Sequence, residues 1–170
     1  MLKKLLIVLI AFAPLAAVAQ NANIAYINTQ EIFNAMPEIP GIETQLNSKQ
    51  EQINKDGQAL IDEFNKKAEE FEKAQATASD AVKADQQRQL GQIQERYQAF
   101  LQNSQQEVEK LRESLLGPVQ RKIADAIKAV GDENKYVYIF DVATMSSPLV
   151  YVSPTATNAT ALVRTKLGIK

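Results

Sequence analysis

The stretch ALIDEFNKKAEEFEKAQATASDAVKADQQRQLGQIQERYQAFLQ, residues 59–102, occupies the middle of the 170-residue chain and decides how the remainder must be arranged. It belongs to a longer run, residues 42–116, that has no proline and only two glycines, Gly57 and Gly91. Leu46, Ile53 and Leu60 fall seven apart, Phe64 and Phe71 form a second row, and Ile61 and Ala68 lie beside them. Further on, Leu90, Ile93, Tyr97, Leu101, Ser104, Val108, Leu111 and Leu115 step by three or four. Apolar recurrence of this period marks a coiled-coil seam on each of two long helices. Between them Ala76-Thr77-Ala78-Ser79-Asp80 supplies small and cap-forming residues, with Thr77 and Asp80 at capping-box spacing, so the chain reverses there. Each arm is then about 50 Å long at ~1.5 Å per residue, and equal arms favour an antiparallel hairpin over the alternative of one continuous helix.

Toward the tip the large residues give way to Ala68, Ala74, Ala76, Ala78, Ala81 and Ala84, so the outer arm is expected to be the looser part. Gly57 and Gly91 sit inside helical runs, where each costs about 1 kcal/mol relative to Ala. They are either flexure points that let an arm bend around cargo, or places of close helix contact or simple tolerance. The surface charge is mixed: Glu69, Glu70 and Glu72 cluster beside Lys66 and Lys67, as on a solvated coiled coil. Phe64, Phe71, Tyr97 and Phe100 are seam and flank residues, and any that escape the seam give the arm apolar spots able to bind unfolded chains weakly.

On either side of the arm the pattern changes to that of an α/β body. Asn23-Ile24-Ala25-Tyr26-Ile27-Asn28 reads as a strand buried on both faces, and Asn28 stands at capping-box spacing from Glu31 before a short helix through Ile32, Phe33 and Met36. Pro37 and Pro40 end that helix, and Pro40-Gly41 reads as a hinge. After residue 116, Gly117-Pro118 marks a break or kink, followed by a helix with Val119, Ile123, Ile127 and Val130 on one face that stops at Gly131. Tyr136-Val137-Tyr138-Ile139-Phe140 is a strand ended by Asp141, Leu149-Val150-Tyr151-Val152 is a further strand, and Ser153-Pro154-Thr155 precedes a last helix with Ala161, Leu162 and Leu167. The expected fold class is α+β: a helical hairpin arm, 42–116, inserted in a β-rich body formed by 20–41 and 117–170.

Such a body is small for independent stability and leaves sheet edges open, and joining copies of the chain remedies both. Ile24, Tyr26, Tyr138, Phe140, Val150 and Val152 are the residues expected to form the oligomerisation body. The hairpins would then project as a ring of prongs.

Residues 1–19 read as a leader. Lys3 and Lys4 precede an apolar run from Leu5 to Ala13, and Ala17-Val18-Ala19 is a signal-peptidase pattern. The run is shorter than the roughly 20 residues that span a bilayer, and no Cys follows it to carry a lipid anchor. An exported, periplasmic protein is expected. The sequence has no Cys and no His, which removes thiol nucleophiles, imidazole bases, Ser/His triads and the usual zinc sites. It has no phosphate-binding glycine motif, so no nucleotide cofactor is expected, and no metal. Removing the two leader lysines from the formal charge of −1 leaves −3, which argues against nucleic acid as a partner.

Residues 23–33 (NIAYINTQEIF), the Gln/Lys/Glu-rich hairpin, and residues 119–152, with VQRKIADAIKAVGDE followed by YVYIFDVA and LVYV, resemble the Skp/OmpH family of periplasmic chaperones. The resemblance spans the sequence downstream of the leader. It implies a jellyfish-shaped homotrimer with a β-rich body and three helical hairpins around a cavity. It also implies an ATP-independent holdase, not an enzyme, whose partners are unfolded outer-membrane β-barrel proteins. Asp141 coincides with the family's strand-Asp pattern. The best-known members resemble strongly basic proteins, whereas this arm has more Asp and Glu than Lys and Arg. Contact with lipid or lipopolysaccharide is therefore not carried over, and contact with a membrane surface stays open.

Other readings compete. A coiled-coil adaptor of the cell envelope would bind one defined partner through the hairpin tip, Thr77 to Ala81. An enzyme would have to work with carboxylates and Tyr alone. Asp141 is a turn or cap residue rather than a catalytic one, Asn158-Ala159-Thr160 is a chance glycosylation pattern, and Tyr136, Tyr138 and Tyr151 are sheet or interface residues.

Overall fold

The structure, a computed structural model, describes residues 23–143 and 149–169. The leader expected at 1–19 lies outside them. Strand β1, Ile24–Ile27, is central in a three-stranded parallel sheet, with β2, Tyr138–Asp141, on one side and β3, Thr157–Asn158, on the other. Ile24 pairs with Tyr138 and Tyr26 with Phe140 along β2, while Ala25 and Tyr26 pair with Thr157 and Asn158. The expectation that β1 is buried on both faces is not met. Ala25 and Ile27 are buried, but Ile24 is 43% exposed and Tyr26 half-buried, because helices cover only one face.

Helix α1, Thr29–Asn34, is capped as expected: the Asn28 side chain accepts from Glu31 N over 3.0 Å. Helix α2, Ile39–Ala74, begins before the expected hinge. Pro40 stands in its first turn, where a missing N–H costs no helical hydrogen bond, so Pro40-Gly41 starts the helix and does not precede it.

Helix α3, Asp80–Asn134, is one unbroken helix of 55 residues, about 82 Å at ~1.5 Å per residue. It runs through Gly117, Pro118 and Gly131, where a break or kink and a stop were expected. An interior proline costs about 3 kcal/mol. Directly after it Val119, Ile123, Ala126 and Val130 are buried, and larger aliphatic side chains each contribute ~1.5–3 kcal/mol on burial, so packing outweighs propensity. The stop is Lys135, in the left-handed region at φ 55°, with Tyr136 N donating to Gly131 O over 3.0 Å. At the other end the reversal falls where expected, but the N-cap is Ser79, whose hydroxyl accepts from Val82 N over 3.5 Å, and not Thr77.

Residues 149–152 form no strand: Val150 is fully exposed, Tyr151 exposed and Val152 half-buried. The second edge of β1 is taken instead by Thr157–Asn158, held there by Ala159 N donating to Tyr26 O over 2.8 Å. Helix α4, Thr160–Lys166, turns Val163 and Thr160 inward and leaves Ala161 and Leu162 exposed. The core is confined to the body, where Ala25, Ile27, Ile32, Ile39, Ile42, Val119, Ile123, Val130 and Val163 come from every helix and from β1. In the arm beyond residue 46 only Gly57, Ile93 and Ser104 are buried.

Candidate functional site

The arm is held by a narrow seam between α2 and α3, and its flank is open. Phe64 and Tyr97, from facing helices, line one groove of ≈ 660 Å³ together with Leu60, Ile61, Gly91 and Ile93. Gln94, Glu95 and Gln98 complete its rim. Gly91 helps keep the groove open, since no atom stands within 4 Å of where its Cβ would be. Phe71 is half-buried further toward the tip. The structure therefore brings two of the four arm aromatics together.

Phe100 does something different. Its ring packs onto Gly57 of α2, with Cε1 3.2 Å from the position a Cβ would take there. Gly57 is thus a site of close helix contact, as one of the two sequence readings had it. Because Phe100 fills this hole, its neighbour Leu101, assigned to the seam by spacing, is displaced to the surface and is 39% exposed. Ile93 and Phe100 lie seven apart and Ser104 four beyond, which is the signal that distinguishes the true seam. Charges tie the arms at two levels: Arg96 donates two 3.0 Å bonds to Glu63, and Lys49 donates to Glu107 over 2.6 Å. At the root Lys122 bonds Glu38 and holds its carboxyl below the ordinary value of 4.5.

In the body, the register sets Ile24, Tyr26, Tyr138 and Phe140 on the outer face of the sheet. The rings of Tyr138 and Phe140 stack with centroids 6.0 Å apart, and Tyr138 is 59% exposed. Val150 and Val152, expected beside them, lie outside the sheet. Parallel sheets are normally covered on both faces, so a face left bare among the described residues is unusual. Among the described residues β2 is an edge strand, and its outer edge adjoins this face.

Asp141 closes the body. Burial disfavours its charge, but the Thr29 hydroxyl and the N–H groups of Ala143 and Thr29 outweigh that and hold the carboxyl below its ordinary 3.8. It is a cap, and among the described residues its hydrogen-bond partners are Thr29 and Ala143. Sequence reasoning missed Thr160, whose buried hydroxyl accepts from Asn28 N over 3.0 Å. Asn158 is occupied in accepting from Thr160 N over 2.9 Å. Among the described residues no group of three or more His, Cys, Asp or Glu is placed to hold a metal ion, and no helix is long and apolar enough to cross a membrane.

A family model described as "Outer membrane protein (OmpH-like)" matches residues 23–167. Among solved structures, this chain is similar to a crystal structure from Caulobacter crescentus CB15 described as an OmpH-like outer membrane chaperone. The TM-score is 0.70 at 16% identity, over 85% of this chain and 83% of that one, a likeness of fold. No curated protein matches. With a small parallel sheet, a long helical hairpin and a family match from residue 23 to residue 167, the chain belongs to the OmpH-like (Skp) family.

Proposed function

We propose that this protein is an ATP-independent holdase that keeps unfolded outer-membrane β-barrel proteins from aggregating in the periplasm, working as a homotrimer whose arms enclose the cargo. The observation that carries it is the segregation of the molecule. Its core lies in the body, while the arm has a thin seam and an open apolar groove between Phe64 and Tyr97. The bare sheet face of Ile24, Tyr26, Tyr138 and Phe140, next to an open edge, supports association of copies through the body. Val150 and Val152, which lie outside the sheet with Val150 fully exposed, would join the same interface.

An unfolded barrel aggregates through exposed strand edges, and inside a cage it meets no other copy of itself. Phe64, Tyr97 and Phe71 provide apolar contacts, with Phe100 supporting the groove from the seam. Many weak contacts sum to firm holding, yet each breaks quickly enough to release cargo to a deeper folding sink without nucleotide hydrolysis. The test is dilution of a urea-unfolded β-barrel protein into buffer with stoichiometric purified protein, followed by light scattering. Suppressed aggregation is expected; undiminished aggregation overturns the proposal. If the protein were instead a tip-binding adaptor, changes at residues 77–81 alone would abolish its binding.

A further inference from the structure

Between Arg88 and Glu107, α3 carries only two charged residues, Glu95 and Arg96, and Arg96 is taken up by Glu63 across the seam. The stretch 49–67 of α2, by contrast, holds eight charged residues. Gln87, Gln94, Gln98, Leu101 and Gln105 are all exposed, and their spacings of seven, four, three and four place them within a sector of about 60° on one face of α3. Gln94 and Gln98 form the rim of the Phe64–Tyr97 groove, and Gln98, Leu101 and Gln105 line a second groove of ≈ 480 Å³. The two grooves share Gln98, so a trough continues along the helix, apolar beside Phe64 and Tyr97 and amide-rich around Leu101, with Glu95 the charged residue on its rim.

We propose that this stripe seats an extended, uncharged segment of an unfolded chain, its main chain hydrogen-bonded by the Gln side chains and its apolar side chains in the adjoining grooves; this rests on the holdase reading above. Each Gln offers two N–H donors and a carbonyl acceptor, the complement of the alternating N–H and C=O groups on an unpaired strand. A neutral amide is also far less costly to desolvate than a charged group, so the stripe can be covered by a neutral segment where the charged α2 surface cannot. The stripe is about 27 Å long, enough for about eight extended residues at ~3.3 Å each. A second copy's helix is a poor fit, because only Leu101 of the five positions could serve as a seam residue. A charged partner is a poor fit because none of the five stripe positions carries a charge and Glu95 alone stands on the adjoining rim.

The test measures affinity of the purified full-length mature protein for a urea-unfolded β-barrel protein by fluorescence anisotropy. Salt is raised from about 0.1 M to 1 M, which cuts the Debye length from about 10 Å to 3 Å. The wild type is expected to lose less than about twofold across that range. Gln94→Ala/Gln98→Ala, with helicity checked by circular dichroism, is expected to lose roughly tenfold, the loss of two neutral hydrogen bonds. Gln94→Glu/Gln98→Glu should lose at least as much, while Gln92→Glu/Gln106→Glu, with equal added charge about 100° or more around α3 from the centre of the stripe, should bind like the wild type. Wild-type binding with unaffected Gln94→Ala/Gln98→Ala, equal loss in the control pair, or a roughly tenfold fall with salt overturns the stripe while leaving the holdase reading intact. An altered oligomeric state in the stripe variants makes it a contact between copies and also overturns it. Absence of any wild-type binding overturns both.

Discussion

Thr29 and Asp141, 112 residues apart in sequence, are joined by two hydrogen bonds: Thr29 N donates to Asp141 Oδ1 over 3.1 Å and the Thr29 hydroxyl to Oδ2 over 2.5 Å. The end of β2 thereby caps the start of α1, and a third bond from Ala143 N fixes the chain as it leaves the sheet. Asp141→Ala leaves these donors unpaired and should lower body stability by about 1–3 kcal/mol in urea unfolding. The carboxyl is held below its ordinary 3.8 in the folded state, so its contribution is present above that value and is lost as pH falls through the folded pKa. Wild-type stability should therefore decline below about pH 4, and Asp141→Ala should flatten that decline. An unchanged acid limb in the variant would contradict the assignment.

The two arm glycines should respond in opposite ways. No atom lies within 4 Å of a Cβ at Gly91, so Gly91→Ala should raise arm stability by about 0.5–1 kcal/mol. At Gly57 the Phe100 ring is 3.2 Å away, and Gly57→Leu should cost about 1–3 kcal/mol through overpacking. Helical circular dichroism during thermal unfolding reads both. Equal gains at the two positions would disprove the Gly57–Phe100 packing.

Pro118 breaks one hydrogen bond inside α3 and is exposed. Pro118→Ala restores the N–H that Ser114 O lacks. The ~3 kcal/mol helix penalty, less ~0.4–1 kcal/mol of added freedom in the unfolded chain, predicts a gain of about 2 kcal/mol in urea unfolding. A loss would show that the root of the arm depends on the proline's local geometry.

At the tip, Ser79→Ala should cost about 0.5–1 kcal/mol by removing the cap of α3, the low end for such losses because the bond is 3.5 Å long. Thr77→Ala, outside the cap, should be nearly neutral. The order of the two melting temperatures decides which residue caps the helix.

The outer sheet face provides the test of association. Tyr138→Glu or Ile24→Glu places a charge where apolar contact with another copy is proposed, and burying an unpaired charge costs several kcal/mol. Size exclusion with light scattering should give a trimer for the wild type and a smaller species for either variant. A wild-type monomer would refute association outright.

Much of this architecture was legible from residue order. The seam periodicity of residues 42–116 called for a hairpin, the small and capping residues of 76–80 called for its reversal, and Asn28 with Glu31 called for the cap of α1, because period and capping are local properties. The absence of Cys and His likewise removed whole classes of chemistry before any fold was known. The arm aromatics were visible as a set, but their division was not. Phe100 enters the seam because Gly57, 43 positions earlier, leaves room for its ring, while Tyr97 faces Phe64 across an open groove.

Residue order by itself thus determined that two long helices fold back on one another and that strand-forming segments flank them. Only the tertiary structure decided that α3 passes straight through Gly117-Pro118, that Thr157–Asn158 and not residues 149–152 flank β1 opposite β2, and that Ile24 and Tyr138 on one sheet face are exposed among the described residues. The physical reason is the same in each case. Helix breakers and strand formers state preferences of a few kcal/mol within a short window, and burial of Val119, Ile123, Val130 and Val163 against distant residues contributes more than those preferences can oppose.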